Sequence, residues 1–284
     1  LLALLGGIVS AGTQTFNVES QTSGYVPGST NRRIFNYEAY SFNLSDQWRP
    51  AKGLTVNLGL RFDLYTALVS ENALFLEPVI SNLDDPFSAI SDPLGRQQFV
   101  GGNVGKPGQF YQTDKNNFAP VLSVAWAPSF TAGFLGKLFG DNKSVFRGGF
   151  RTSYINDELV RAPDNALGGN PGLQLATPLV NPLTNTTALN ARISSLPNVP
   201  VPVFSGPQTF AQMNASQGLF GTVFAVDPKI QSPLVQEYSF GFTREVGFDT
   251  ALEVRYVGSR SSNLIRGVDF NQVDIRSNGF AADF

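Results

Sequence analysis

Between Tyr40 and Tyr65 the chain alternates residue by residue in a way that few folds accommodate. Tyr40, Phe42, Leu44 and Trp48 share one parity, while Ser41, Asn43, Ser45, Gln47 and Arg49 take the other. Pro50, Ala51, Lys52 and Gly53 follow as a turn. Leu54, Val56, Leu58, Leu60, Phe62 and Leu64 then alternate unbroken against Thr55, Asn57, Gly59, Arg61, Asp63 and Tyr65. A period of two marks a strand, because successive side chains leave opposite faces of the pleat. Two strands joined by so short a turn form an antiparallel hairpin. One face is aliphatic and aromatic throughout; the other carries amides, hydroxyls and the charges of Arg61 and Asp63. Such a hairpin sits either on a soluble core or in a membrane barrel, where the apolar face meets lipid and the polar face a wet lumen.

The alternation recurs along the chain. Phe16 and Val18 mark a first strand near 13–20. Phe118, Leu122, Val124 and Trp126 mark a fourth at 117–128, and Phe146, Phe150 and Tyr154 oppose Arg147, Gly149 and Arg151 in a fifth at 144–154. Tyr238, Phe240 and Phe242 oppose Glu237, Ser239, Gly241 and Thr243 in a sixth at 234–246. After Gly247-Phe248-Asp249, Leu252, Val254 and Tyr256 oppose Glu253 and Arg255 in a seventh. Short connections alternate with long ones at 67–116 and 155–233, and the second long one holds ten of the 18 prolines, which rules out long regular elements there on the sequence alone. Structureless loops beyond about 15 residues are rare in compact soluble domains, whereas outer-membrane barrels pair tight turns at one end with large loops at the other. Charges on the apolar parity fall at Asp46 and Arg244, both close to the short-turn end, where a charge costs little in a bilayer.

These observations define an all-β chain forming an antiparallel up-and-down transmembrane β-barrel, partial, with about seven strands and very long extracellular loops. Residues 1–34 read as a lead-in, first strand and loop; 35–260 as barrel strands; and 261–284 as a loop or the start of a further strand. The apolar opening LLALLGGIVSAG reads as a short lead-in, since the basic flank of a secretory signal is lacking. Composition agrees with a strand-and-loop chain. Only 15% of residues are charged, against about 25% in soluble domains. A net charge of −2 argues against a nucleic-acid partner. With neither cysteine nor histidine, thiolate metal sites, Ser-His-Asp chemistry and the commonest neutral-pH base are excluded. No apolar run is long enough for a transmembrane helix.

Several motifs invite sharper readings. Gly101 to Lys106 (GGNVGK) superficially resembles a phosphate loop, but Pro107 stands where Ser or Thr should follow, so an ordinary turn-rich loop is expected. Asp84, Asp85 and Asp92 lack calcium-loop spacing and read as solvated loop acids. Asp157, Glu158 and Asp164 could be paired carboxylates for hydrolysis, but they fall in an irregular proline-rich loop, so no hydrolytic site is expected there. No enzymatic activity, cofactor or metal is expected. In the barrel reading Asn57, Arg61, Asp63, Arg147, Arg151, Glu237, Glu253 and Arg255 line the lumen. Tyr40, Phe42, Leu44, Trp48, Val56, Leu58, Leu60, Phe62, Leu122, Val124, Trp126, Phe146, Phe150, Tyr238, Phe240, Phe242, Leu252, Val254 and Tyr256 face lipid.

The segments YEAYSFNLSDQW and LTVNLGLRFD, NNFAPVLSVAWAP, SVFRGGFRTSYIND, QEYSFGFTREV and LEVRYVGSRSSNL resemble the barrel of Oar-like TonB-dependent receptors, over most of residues 37–275. The resemblance implies a Gram-negative outer-membrane protein that binds a small or polymeric ligand at its outer loops and imports it past a plug. Its partners would be outer-membrane lipid and the TonB complex, the latter reached through regions outside these residues. No plug-like or TonB-contacting segment is recognisable here, and Phe284 imitates the terminal aromatic of outer-membrane proteins. A surface adhesion or structural barrel without transport is the first alternative, and a soluble secreted β-sandwich the second.

Overall fold

The computed structural model describes residues 5–9, 12–180, 192–196, 198–217, 222–270 and 279, apart from the side chains of residues 87, 157, 158, 179 and 180. Strands are β1 (Gly12–Val18), β2 (Tyr25–Pro27), β3 (Phe35–Asn36), β4 (Ala39–Ala51), β5 (Leu54–Tyr65), β6 (Val69–Ser70), β7 (Leu76–Pro78), β8 (Gln97–Phe99), β9 (Phe118–Trp126), β10 (Ser144–Tyr154), β11 (Gln174–Val180), β12 (Leu234–Gly247) and β13 (Thr250–Ser262). Helices are α1 (Pro86–Ser91), α2 (Gly133–Phe139), α3 (Asp157–Gly168) and α4 (Phe210–Gln217). None of the described helices is long and apolar enough to cross a membrane.

One six-stranded sheet dominates, in the order β13-β12-β10-β9-β5-β4, with every neighbour antiparallel. Its register joins the apolar parities of all six strands. Phe42 lies opposite Phe62 and Phe62 opposite Phe118; Leu58 lies opposite Leu122, Leu122 opposite Phe150, and Phe150 opposite Tyr238. Phe240 faces Tyr256, and Phe242 faces Val254. All nineteen apolar-parity residues named above therefore lie on one face, and the eight polar ones on the other. No second layer covers the apolar face among the described residues: Phe42 is 65% exposed, Leu58 49% and Phe240 53%. A sandwich would bury those side chains, so that alternative loses its support. Within the described residues the sheet is open, with β4 and β13 at its edges.

The β4–β5 turn shrinks to Lys52 and Gly53. A register irregularity between Trp48 and Ala51 absorbs Pro50, which has no ladder donor to give. Gly53 has φ +75°, and a Cβ there would lie 2.3 Å from the Ala127 carbonyl oxygen, which is why glycine occupies the corner. The β12–β13 turn and the β9–β10 connection with α2 lie at this same end of the sheet.

Three expectations are corrected. The first strand is outside the main sheet: β1 pairs with β2 and with β11 in a separate three-stranded sheet, so among the described residues the main sheet holds six strands rather than seven. β1 ends in three buried residues (Phe16 to Val18), which makes it a loop-packing strand rather than a wall strand. The long connections are not structureless either: β6, β7, β8 and α1 occupy the first, α3, β11 and α4 the second. They contain the chain's apolar core, formed by Ala67, Leu68, Ala73, Phe75, Val100, Phe110, Tyr111, Leu159 and Leu167. Burying a Leu or Phe contributes about 1.5–3 kcal/mol, so this cluster ties the two long connections to each other.

The third correction concerns Pro163, which sits inside the 12-residue α3. A proline there cannot donate to the carbonyl four residues back, that of Leu159. The Tyr111 hydroxyl donates to the Leu159 oxygen at 2.8 Å instead, and burial pushes that phenol's pKa up, keeping its proton in place. The helix survives because another segment of the chain supplies the missing donor.

Candidate ligand-capture site

The polar face of the sheet is a hydrogen-bonded wall. Gln47 donates to Asn57 at 3.0 Å, and Asn57 donates to Ser123 at 2.9 Å, linking β4, β5 and β9. Arg61 Nε donates to Asp63 Oδ1 at 2.7 Å, and Ser41 donates to the same oxygen. Asp63 is almost completely buried, and its Oδ2 takes no hydrogen bond. Arg151 and Glu237 form an ion pair across β10 and β12. Arg147, Glu253 and Arg255 instead gather round a hollow of about 330 Å³, with Gly149 and Gly241 among its lining. The eight expected lumen residues thus form a ladder, two ion pairs and one hollow rather than a single cluster.

At the long-loop end a larger cavity of about 470 Å³ opens between the β1 sheet and the loop core. Four separate stretches build it: 17–19, 29–33, 72–76 and 167–174. Phe75 and Leu167 give it an apolar floor. Asn17 donates to the Ser29 carbonyl at 2.7 Å, while its buried Oδ1 takes no hydrogen bond. Asn72 donates to the Arg32 carbonyl at 3.1 Å. Asn170 donates to the carbonyls of Leu76 and Phe224, both at 2.8 Å, and accepts from the Phe224 amide at 2.7 Å. Arg33 lies 4.9 Å over the Phe75 ring and donates to Asp164 at 3.2 Å. Gly168 makes room for that guanidinium, since a Cβ there would come within 2.7 Å of it. The volume falls within the usual small-molecule range. Amides, two guanidinium groups and an aromatic floor suit a polar ligand rich in hydroxyl or carboxylate groups.

The loop acids resolve into structural roles. Asp85 caps α1 by accepting from Ser88 N at 3.3 Å, Asp92 accepts from Leu94 N at 2.9 Å, and Asp84 pairs with Lys229 at 2.5 Å. Among the described residues no three acidic side chains converge as metal ligands. Asp164 pairs with Arg33; the side chains of Asp157 and Glu158 lie outside the described residues.

The GGNVGK loop already holds a buried carboxyl group, that of Glu77. Glu77 Oε1 accepts from the amides of Gly101 and Asn103, both at 3.1 Å, and from Gln98 Nε2 at 3.3 Å. Amides engaged in this way are not free to cradle phosphate. Burial outweighs these donors and pushes the Glu77 carboxyl up to about 7.

The cavity escapes sequence reading because its four walls are far apart in the chain and share no period. Only the long loops marked its neighbourhood, and they omit Asn17, Arg32 and Arg33. Comparison with known families matches residues 6 to 282 to the outer membrane beta barrel domain. The chain belongs to that family. It is accordingly a protein of the outer membrane of a Gram-negative bacterium. No curated protein and no solved structure matches it.

Proposed function

We propose that this chain is the barrel portion of an Oar-like TonB-dependent receptor, which captures a ligand in the loop-end cavity and imports it past a plug. The observation that carries the reading is that cavity: an amide- and guanidinium-lined recess built from loops at the end of the sheet opposite the tight turns. Beyond it the polar face offers a hydrated path, with Arg147, Glu253 and Arg255 round the hollow further along. The apolar face meets outer-membrane lipid. Force would come from the TonB complex through regions outside these residues. No bond is made or broken, and neither cofactor nor nucleic acid takes part.

The test uses cells carrying the full-length protein, offered a defined mixture of siderophores, glycans, peptides and vitamins. One solute class should be depleted by wild-type cells and spared when TonB is deleted. Arg33→Ala, which removes a charged donor from the cavity, should weaken its capture at least roughly tenfold. If no class is depleted in a TonB-dependent manner, import is refuted. A class bound at the surface but never depleted would identify an adhesion barrel instead.

A further inference from the structure

We infer that α2 is an interfacial anchor, a short helix lying in the phospholipid leaflet at the short-turn end of the wall. Its sequence, GFLGKLF, places Phe134, Leu135, Leu138 and Phe139 along one side. Lys137, two residues beyond Leu135, leaves from the other. None of the helix is buried: Phe134 is 76% exposed, Leu135 44% and Leu138 45%. A seven-residue helix is too short to persist in water on its own. This one is held in place by the sheet.

The contacts that hold it fix the side of the wall on which it lies. The Phe139 ring packs edge-on against Phe146 at 5.5 Å. Phe146 in turn stacks with Trp126 at 5.6 Å and meets Phe242 at 5.0 Å, all on the apolar face. Ser144 Oγ donates to the Phe139 carbonyl at 2.8 Å, and Arg244 donates to the Lys137 carbonyl at 3.2 Å. Ser144 and Arg244 both have the apolar parity. Arg244, a charge out of place on that parity, here caps the last turn of a helix seated on the same face. Gly136 faces the loop that precedes the helix, where a Cβ would lie 3.2 Å from the Phe130 carbonyl oxygen, and this close approach lets the helix fold back on that loop.

The apolar side of α2 thus continues the apolar face of a protein that resides in the outer membrane. The occupant that fits is the boundary between headgroups and acyl chains. Phe134, Leu135 and Leu138 enter it, and the Lys137 ammonium stays among phosphates. Short turns of such barrels lie on the periplasmic side, where the leaflet is phospholipid.

Nitroxide labels on the full-length protein, reconstituted in phosphatidylethanolamine–phosphatidylglycerol vesicles, test this. The sequence has no cysteine, so Phe134→Cys, Leu138→Cys, Lys137→Cys and Leu58→Cys each give one label site within it. Heat-modifiable gel mobility establishes that each variant is folded. Labels at 134 and 138 should collide with oxygen in preference to a water-soluble nickel chelate, at about 5–10 Å depth, and the label at 137 should show the reverse. Nickel-accessible labels at both 134 and 138 overturn the anchor. In that event an oxygen-accessible label at 58 leaves the lipid-facing wall standing, and a nickel-accessible one removes the wall's lipid contact as well.

Discussion

Leu60 offers the sharpest test of which solvent touches the apolar face. It lies on β5 between Leu44 and Pro120 and is 47% exposed, so in water its replacement by arginine would cost almost nothing. A barrel strand rises about 3.4 Å per residue and tilts by about 40°, giving roughly 2.6 Å of depth per residue. Leu60 is six residues along from Leu54, which places it about 16 Å in, near the centre of an apolar band about 25 Å tall. Val56, in the same strand and opposite Trp48, lies only about 5 Å in. Leu60→Arg should therefore cost about 2–4 kcal/mol in a bilayer, and Val56→Arg about 0–1. Using one strand removes any uncertainty from the tilt between strands. The assay is reversible urea titration of the full-length protein in phospholipid vesicles, followed by tryptophan fluorescence. Equal losses for the two variants, within about 0.5 kcal/mol, would refute lipid contact at that face.

Tyr111→Phe should destabilise α3 by about 1–3 kcal/mol, because Pro163 leaves the Leu159 carbonyl with no helix donor; faster amide exchange across 157–168 would register the loss. The raised Glu77 carboxyl predicts a loop core that is most stable below its ordinary value of 4.5 and weakens as pH rises through about 7, by at most about 3 kcal/mol. Melting the protein at pH 5 and pH 8 should show that difference, and Glu77→Gln should abolish it. Gly53→Ala should cost about 2 kcal/mol or more in the urea titration, from the positive φ together with the approach of the Ala127 carbonyl.

The wall was legible in the sequence because a strand carries its period locally. Once Phe42, Leu58, Phe150 and Phe240 were set on one parity, pairing could only place them on a common face, and the register does so. The loops were illegible for the opposite reason. Their core joins Leu68, Val100, Phe110 and Leu167 from segments with no shared period, and β1 finds β11 more than 150 residues away. Proline counting also failed at Pro163, since the residue that rescues α3 is Tyr111, in the other long connection. The site inherits this difficulty. Arg61, Asp63, Arg151 and Glu237 could be placed on the polar face by parity alone, but parity does not say that they pair and so leave Arg147, Glu253 and Arg255 round the glycine-lined hollow. Asn17 and Arg33 had no sequence signal at all. Their meeting at one cavity follows from a chain that moves its hydrophobic core out of the sheet and into the loops. Because that core lies outside the sheet, the folded loops enclose the cavity of about 470 Å³, while the polar face of the wall carries the hollow of about 330 Å³.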